Sequence, residues 1–123
     1  MVLSNTKTTA VTWETVRQIA MTLPSVEEST SYGTPAFKVK GKLFVRSHQD
    51  GESLVVRIES EDRDILMEAD PETFYITDHY LNYPWILVRL ANVRRDQLSD
   101  LLKQAWRLVA PTRLVANFYG VTE

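Results

Sequence analysis

The chain has 123 residues and a mass of 14.1 kDa, enough for one domain around one core. It contains no cysteine, which excludes disulfides, thiolate metal sites and cysteine nucleophiles. Fourteen Lys and Arg stand against 16 Asp and Glu, a net charge of -2, so the chain as a whole is not a basic nucleic-acid binder. The charge is uneven. Residues 59–72 hold seven acidic groups and one basic. Residues 1–58 hold seven basic and five acidic, and residues 73–123 six basic and four acidic. Met1–Ala10 has no apolar run before a cleavage site, and no segment approaches the ~20 apolar residues of a membrane helix. A soluble, cytoplasmic protein is expected, with no membrane partner.

Met1–Ala10 is polar and rich in Ser and Thr, and a flexible N-terminus is expected over 1–11, one domain at 12–118 and a C-terminal tail at 119–123. Thr12 is an N-cap for a helix from Trp13, with Trp13, Val16, Ile19, Ala20 and Leu23 on one face and Pro24 ending it. Ser25–Pro35 reads as a connection, with turn composition at Tyr32-Gly33-Thr34-Pro35. Three strands follow. Phe37 and Val39 alternate with Lys38 and Lys40, and Gly41-Lys42 fits a tight turn. Leu43 and Val45 oppose Phe44, Arg46 and His48. After the hairpin signal Asp50-Gly51, Leu54, Val56 and Ile58 oppose Val55 and Arg57.

Ser60 caps an acidic helix running to about Ala69, whose early carboxylates suit the helix dipole. Ile65, Leu66 and Ala69 form its contact stripe. A short strand over Phe74–Ile76, an aromatic loop over Asp78–Pro84 and a strand over Trp85–Leu90 come next. A helix over Asp96–Val109 carries the stripe Leu98, Leu101, Leu102, Ala105, Leu108 and Val109. Trp13, Trp85 and Trp106 suit anchors of the core or of an interface, and Trp106, offset from the stripe, fits partial exposure at a partner surface. Pro111 interrupts this helix before a short one over Thr112–Phe118. The order predicts an α+β fold: a single antiparallel sheet with helices largely on one face.

No His-Glu-x-x-His signature and no Gly-rich phosphate loop is present. His48 and His79 are far apart in sequence. His79 is the better candidate for a cleft, since aromatic residues surround it. The Ser and Thr residues near Glu27 and Glu28 lack a base and an oxyanion donor, and suit turns and caps. No catalytic residue, metal or cofactor is assigned, and a binding protein is expected rather than an enzyme. The basic pattern is the functional lead: Lys38, Lys40, Lys42, Arg46, Arg57 and Arg89 lie on or beside the strands, with Arg94 and Arg95 as additional contacts. On one face they would bind phosphate backbones.

Leu23-Pro24-Ser25-Val26-Glu27-Glu28, Tyr32-Gly33-Thr34-Pro35-Ala36-Phe37-Lys38-Val39 and Gly41-Lys42-Leu43-Phe44 open a longer pattern. Ala69-Asp70-Pro71-Glu72-Thr73-Phe74, His79-Tyr80, Trp85-Ile86-Leu87-Val88-Arg89-Leu90 and Ala105-Trp106-Arg107-Leu108-Val109-Ala110-Pro111 complete it. In order and spacing the chain resembles the MmcQ/YjbR family, often named as DNA-binding proteins. The resemblance spans about Thr12–Leu114. It implies a CyaY-like sheet, also described as a double-wing arrangement, and it implies no catalytic residues. It also brings in frataxin-like iron binding by acidic clusters. Here Glu59, Glu61, Asp62, Asp64 and Glu68 are explained by the helix dipole and solvation instead. The expected function is non-catalytic nucleic-acid binding, DNA first, through phosphate contacts. The alternatives are a protein-interaction domain or small homodimer, using the acidic helix, the Asp78–Trp85 loop and Trp106, and a small-molecule site or enzyme near His79.

Overall fold

The computed structural model describes residues 10–120. The flexible N-terminus expected over 1–11 and the tail at 119–123 lie outside the described residues except at 10, 11, 119 and 120, and Val11 is buried in the core. Helix α1 spans Trp13–Ala20. Thr12 caps it, accepting from the Thr15 amide while the Thr15 hydroxyl accepts from the Thr12 amide. Val16, Ile19 and Ala20 are buried on one face, as the spacing predicts.

The connection expected over Ser25–Pro35 contains a strand, β1, at Val26–Ser31. Only Val26 in it is buried, so it carries no apolar alternation to reveal it. It is a polar edge strand held by pairing with β2 (Thr34–Val39) alone. The β1–β2 turn places Tyr32 and Gly33 at φ 54° and 79°. Between β2 and β3 (Lys42–Ser47) the turn residues are Lys40 and Gly41, at φ 50° and 81°. Both turns have the paired positive φ whose twist matches the strands they join. The second sits one residue before the Gly41-Lys42 position expected from sequence.

Strand β4 covers Ser53–Arg57, β5 Phe74–Tyr75 and β6 Trp85–Arg89. The six strands form one antiparallel sheet in the order β1-β2-β3-β4-β6-β5. Helix α2 spans Ser60–Ala69, α3 Arg95–Val109 and α4 Thr112–Phe118. The α+β architecture with a single antiparallel sheet is therefore the observed one. Among the described residues, no helix is long and apolar enough to cross a membrane.

Register explains the core. Phe37, Val45, Val56 and Ile86 are successive cross-strand partners, and Val88 pairs with Phe74; all are buried on the helix-covered face. Leu98, Leu101, Leu102 and Ala105 of α3 pack onto them. One alternation predicted from sequence fails. Lys38 pairs with Leu43 but Phe37 with Val45, so Phe44 is an extra residue in β3. This bulge turns both Phe44 and Val45 into the core and leaves Leu43 and Arg46 on the opposite face.

Two further expectations are corrected. Trp106 is not at a partner surface: it is fully buried, its Nε1 donates to the Pro24 carbonyl at 3.0 Å, and Phe118 of α4 meets its ring edge-on. The fold of α4 back over α3 covers the offset position. In α2 the N-cap is Glu59 rather than Ser60, and Ile65 and Ala69 are exposed. The buried residue of that helix is Arg63.

Candidate functional site

The face of the sheet away from α1 and α3 has its own small apolar cluster. The Tyr80 ring, from the 3-10 turn Asp78–Tyr80, packs on the cross-strand pair Val55 and Leu87. Tyr75, Ile76 and Trp85 surround it. The segment between β5 and β6 thus lies over part of this face. Beside it opens a cleft of about 580 Å³. Leu43, Arg46, Val55 and Trp85 come from the strands, Tyr32, His48 and Gln49 from the turns on one side, and Thr77, His79, Tyr80 and Tyr83 from the overlying segment.

Arg63 holds that segment in place. It is 8% exposed, and its Nη1 donates to the carbonyls of Tyr80, Tyr83 and Trp85 at 3.0, 2.7 and 3.2 Å. Its Nη2 donates to the carbonyl of Leu81 at 3.1 Å, while its Nε is buried without a partner. Sequence reasoning missed this residue, because one arginine among seven carboxylates looks like a solvated charge.

Arg46 reaches the cleft from β3 and is 5% exposed. Its Nη2 donates to the Tyr80 hydroxyl at 2.7 Å. Its Nη1 faces the Ser47 carbonyl, the Thr34 hydroxyl and the Gln49 side-chain oxygen at 3.1, 3.4 and 3.5 Å. The Tyr32 ring centroid lies 5.1 Å from its guanidinium carbon. His79 meets Tyr80 edge-on at 4.7 Å, and the His48 Nδ1 lies 3.3 Å from the Asp50 carboxylate.

Asp50 closes the β3–β4 turn, accepting from the amides of Glu52 and Ser53 at 2.8 and 3.1 Å. Burial acts to raise its pKa. The Glu52 amide, the His48 side chain and the Ser53 amide together outweigh that and hold it below the usual value. A depressed carboxylate contributes stability above its unfolded pKa and loses it as pH falls through the folded one. Asp50→Asn is therefore expected to be less stable than wild type at pH 7, by no more than about 1 kcal/mol since the group is well exposed. The gap should close as pH falls below about 4, read by urea unfolding across pH.

Register decides which predicted cations share this face. Lys38 pairs with Leu43, Arg46 with Val55, Arg57 with Trp85 and Arg89 with Ser53, so Lys38, Arg46, Arg57 and Arg89 all belong to it. They do not form one patch. Tyr80 covers Val55 and Leu87, which lie between the Arg57–Trp85 pair and the Ser53–Arg89 pair. Arg89 stacks on the Tyr75 ring at 4.0 Å. Lys40 and Lys42 are exposed at the β2–β3 turn, at the same end of the sheet as Lys38 and Arg57. Arg94 and Arg95 stand apart, at the start of α3 in the helical layer. Arg94 pairs with Asp96 at 3.2 Å, and Arg95 approaches Gln18 of α1 at 3.5 Å. Among the described residues, no three His, Asp or Glu side chains gather to hold a metal ion.

A family model described as YjbR matches residues 21–108, most of the chain. The chain belongs to the YjbR family. Its relatives include the uncharacterized proteins Rv2570 of Mycobacterium tuberculosis and Mb2600 of Mycobacterium bovis. Each is 29% identical over 122 residues, covering 87% of this chain and 95% of the relative. The crystal structure of Deinococcus radiodurans protein DR2400, a DUF419 domain, superposes with a TM-score of 0.74 at 23% identity, covering 92% of this chain and 91% of that one. The shared YjbR fold therefore includes the sheet on which the cleft is built.

Proposed function

We propose that this YjbR protein binds nucleic acid without catalysis, DNA first, through phosphate contacts at the β2–β3 end of the open sheet face. One observation carries the reading: Lys38, Lys40, Lys42 and Arg57 converge there, and none of them is in an ion pair among the described residues. Positive groups outside any ion pair on a sheet end suit a sequence-independent backbone contact. Arg46 is too deep to meet a strand lying across the face, and Arg89 stands at the opposite end, so neither leads the contact. Such a partner fits a cytoplasmic protein.

Four neutralised phosphates give a log-log salt slope of about -3.6 on duplex and about -2.8 on single strands. Raising salt from ~50 to ~200 mM should then weaken duplex binding roughly 150-fold and single-strand binding roughly 50-fold. Fluorescence anisotropy with labelled oligonucleotides checks this. The triple variant Lys38→Gln, Lys40→Gln, Lys42→Gln should leave a duplex slope near about -0.9. A slope unchanged by the triple substitution would remove the hairpin from the interface.

A second reading rests on the apolar rim. Tyr32, Leu81 and Tyr83 are 79%, 58% and 58% exposed, a density of large side chains common at protein interfaces. In that reading the Asp78–Trp85 segment contacts a protein partner or a second copy. Light scattering across concentration tests the homodimer, which requires a rising mass.

A further inference from the structure

We propose that the cleft over Arg46 is a binding site for a small organic oxyanion, a carboxylate or phosphate carried on a planar ring. Arg46 is 95% buried by the complement of its 5% exposure, yet every acceptor it meets is neutral: a phenol, a carbonyl, a hydroxyl and an amide. A buried charge needs an opposite charge or a close set of acceptors, because desolvation costs more than a few long neutral contacts return. The other arginines show what compensation looks like in this fold. Arg17 is clamped by Glu14 and Glu28, and Arg63 is wrapped by four carbonyls. Arg46 has one short bond and three longer ones and, unlike Arg63, lines an open cleft.

The surroundings complete the argument. Among the described residues, no carboxylate lines the cleft, and the nearby Asp50 is occupied by His48 and two turn amides. An incoming anion therefore meets a guanidinium with donors to spare and no competitor. Tyr83 and Trp85 line the cleft above it, offering flat apolar surface to a ring. A volume of about 580 Å³ lies within the range of small-molecule sites. His48 and His79 add polar groups that fix orientation. The site is separate from the nucleic-acid proposal: Lys38, Lys40 and Lys42 do not line it.

The test is a titration of the full 15N-labelled chain with adenosine 5′-monophosphate, indole-3-carboxylate and adenosine, followed by amide shifts. At least one anion should give saturable shifts at Arg46, His48, His79 and Trp85, and the tighter of the two distinguishes phosphate from carboxylate. Charge-assisted bonds to Arg46 should make adenosine bind at least about 10-fold more weakly than the nucleotide if phosphate is the group recognised. Arg46→Gln should weaken the preferred anion about 10- to 100-fold. Tyr83→Ala, at an exposed position that leaves folding intact, should weaken it about 3- to 10-fold through lost stacking. If Arg46→Gln does not fold, Tyr83→Ala decides. The proposal is overturned if neither anion saturates by about 10 mM, if folded Arg46→Gln binds as wild type does, or if Tyr83→Ala changes nothing. The lysine triple variant should bind the anion normally, so failure here and failure of the nucleic-acid reading remain distinct.

Discussion

Arg63→Ala is expected to lower the unfolding free energy by about 3 kcal/mol, a large share of a small domain's stability. The substitution strips donors from the carbonyls of Tyr80, Leu81, Tyr83 and Trp85. The carbonyls of Tyr80 and Tyr83 still accept from the amides of Tyr83 and Trp85 at 3.1 and 2.9 Å, whereas those of Leu81 and Trp85 lose the guanidinium, at about 1–3 kcal/mol for each one left bare. Water reaching the exposed parts of Leu81 and Tyr83, and relief from burying a charge with an unpartnered Nε, offset part of that sum. Arg63→Lys should recover only part of the loss, because an ammonium cannot reproduce the planar fork that spans four carbonyls. Urea unfolding reads the effect. Faster amide exchange confined first to Tyr80–Trp85 would show that the guanidinium positions that segment. A loss under about 0.5 kcal/mol, the level of an ordinary surface change, would mean the segment holds itself. Because His79, Tyr80, Tyr83 and Trp85 all line the cleft, the same variant should also weaken anion binding there without touching Arg46.

Trp106→Ala should cost about 3–5 kcal/mol, the range for deleting a large buried aromatic. The ring is fully buried, meets Phe118 at 5.0 Å between centroids, and ties α3 to the end of the α1 connection through the Pro24 carbonyl. Trp106→Phe separates the two contributions. It keeps most of the apolar area and loses the Nε1 bond, so about 1–2 kcal/mol is expected. Thermal unfolding of both variants, with circular dichroism to confirm the fold, gives the ranking. Equal losses for the two would assign the whole effect to the hydrogen bond and contradict the packing account.

The positions of these two residues show where sequence was legible. Helices α1 and α3 were readable because their apolar residues recur at helical spacing, and Leu98, Leu101, Leu102 and Ala105 are buried as that spacing requires. Strand β4 was readable for the same reason at period two. Strand β1 was not, since an edge strand with one buried residue has no pattern to read. The β3 bulge defeated alternation: Phe44 and Val45 both face the core, a geometry that strict period two forbids. Trp106 looked peripheral because α4, which covers it, comes from beyond a proline.

The site divides likewise. That Lys38, Arg46, Arg57 and Arg89 share a face follows from register, and the sequence offered them only as a condition on that register. Depth was invisible: nothing local distinguishes Arg46 at the cleft floor from Arg57 at its end of the sheet. The separation of Arg94 and Arg95 into the helical layer is likewise a long-range fact. The cleft near His79 was anticipated from aromatic crowding alone, whereas Arg46, which lines it, and Arg63, which holds the segment over it, lie 34 and 17 residues away from Tyr80.

The most direct test of the nucleic-acid interface is an amide-shift map of the 15N-labelled chain with a short single-stranded and a short duplex DNA at low salt. The account predicts shifts concentrated at Lys38, Lys40, Gly41, Lys42 and Arg57, fading as salt is raised. Shifts centred on α2 or on Arg94 and Arg95 at the start of α3, or no shifts with either DNA, would contradict it.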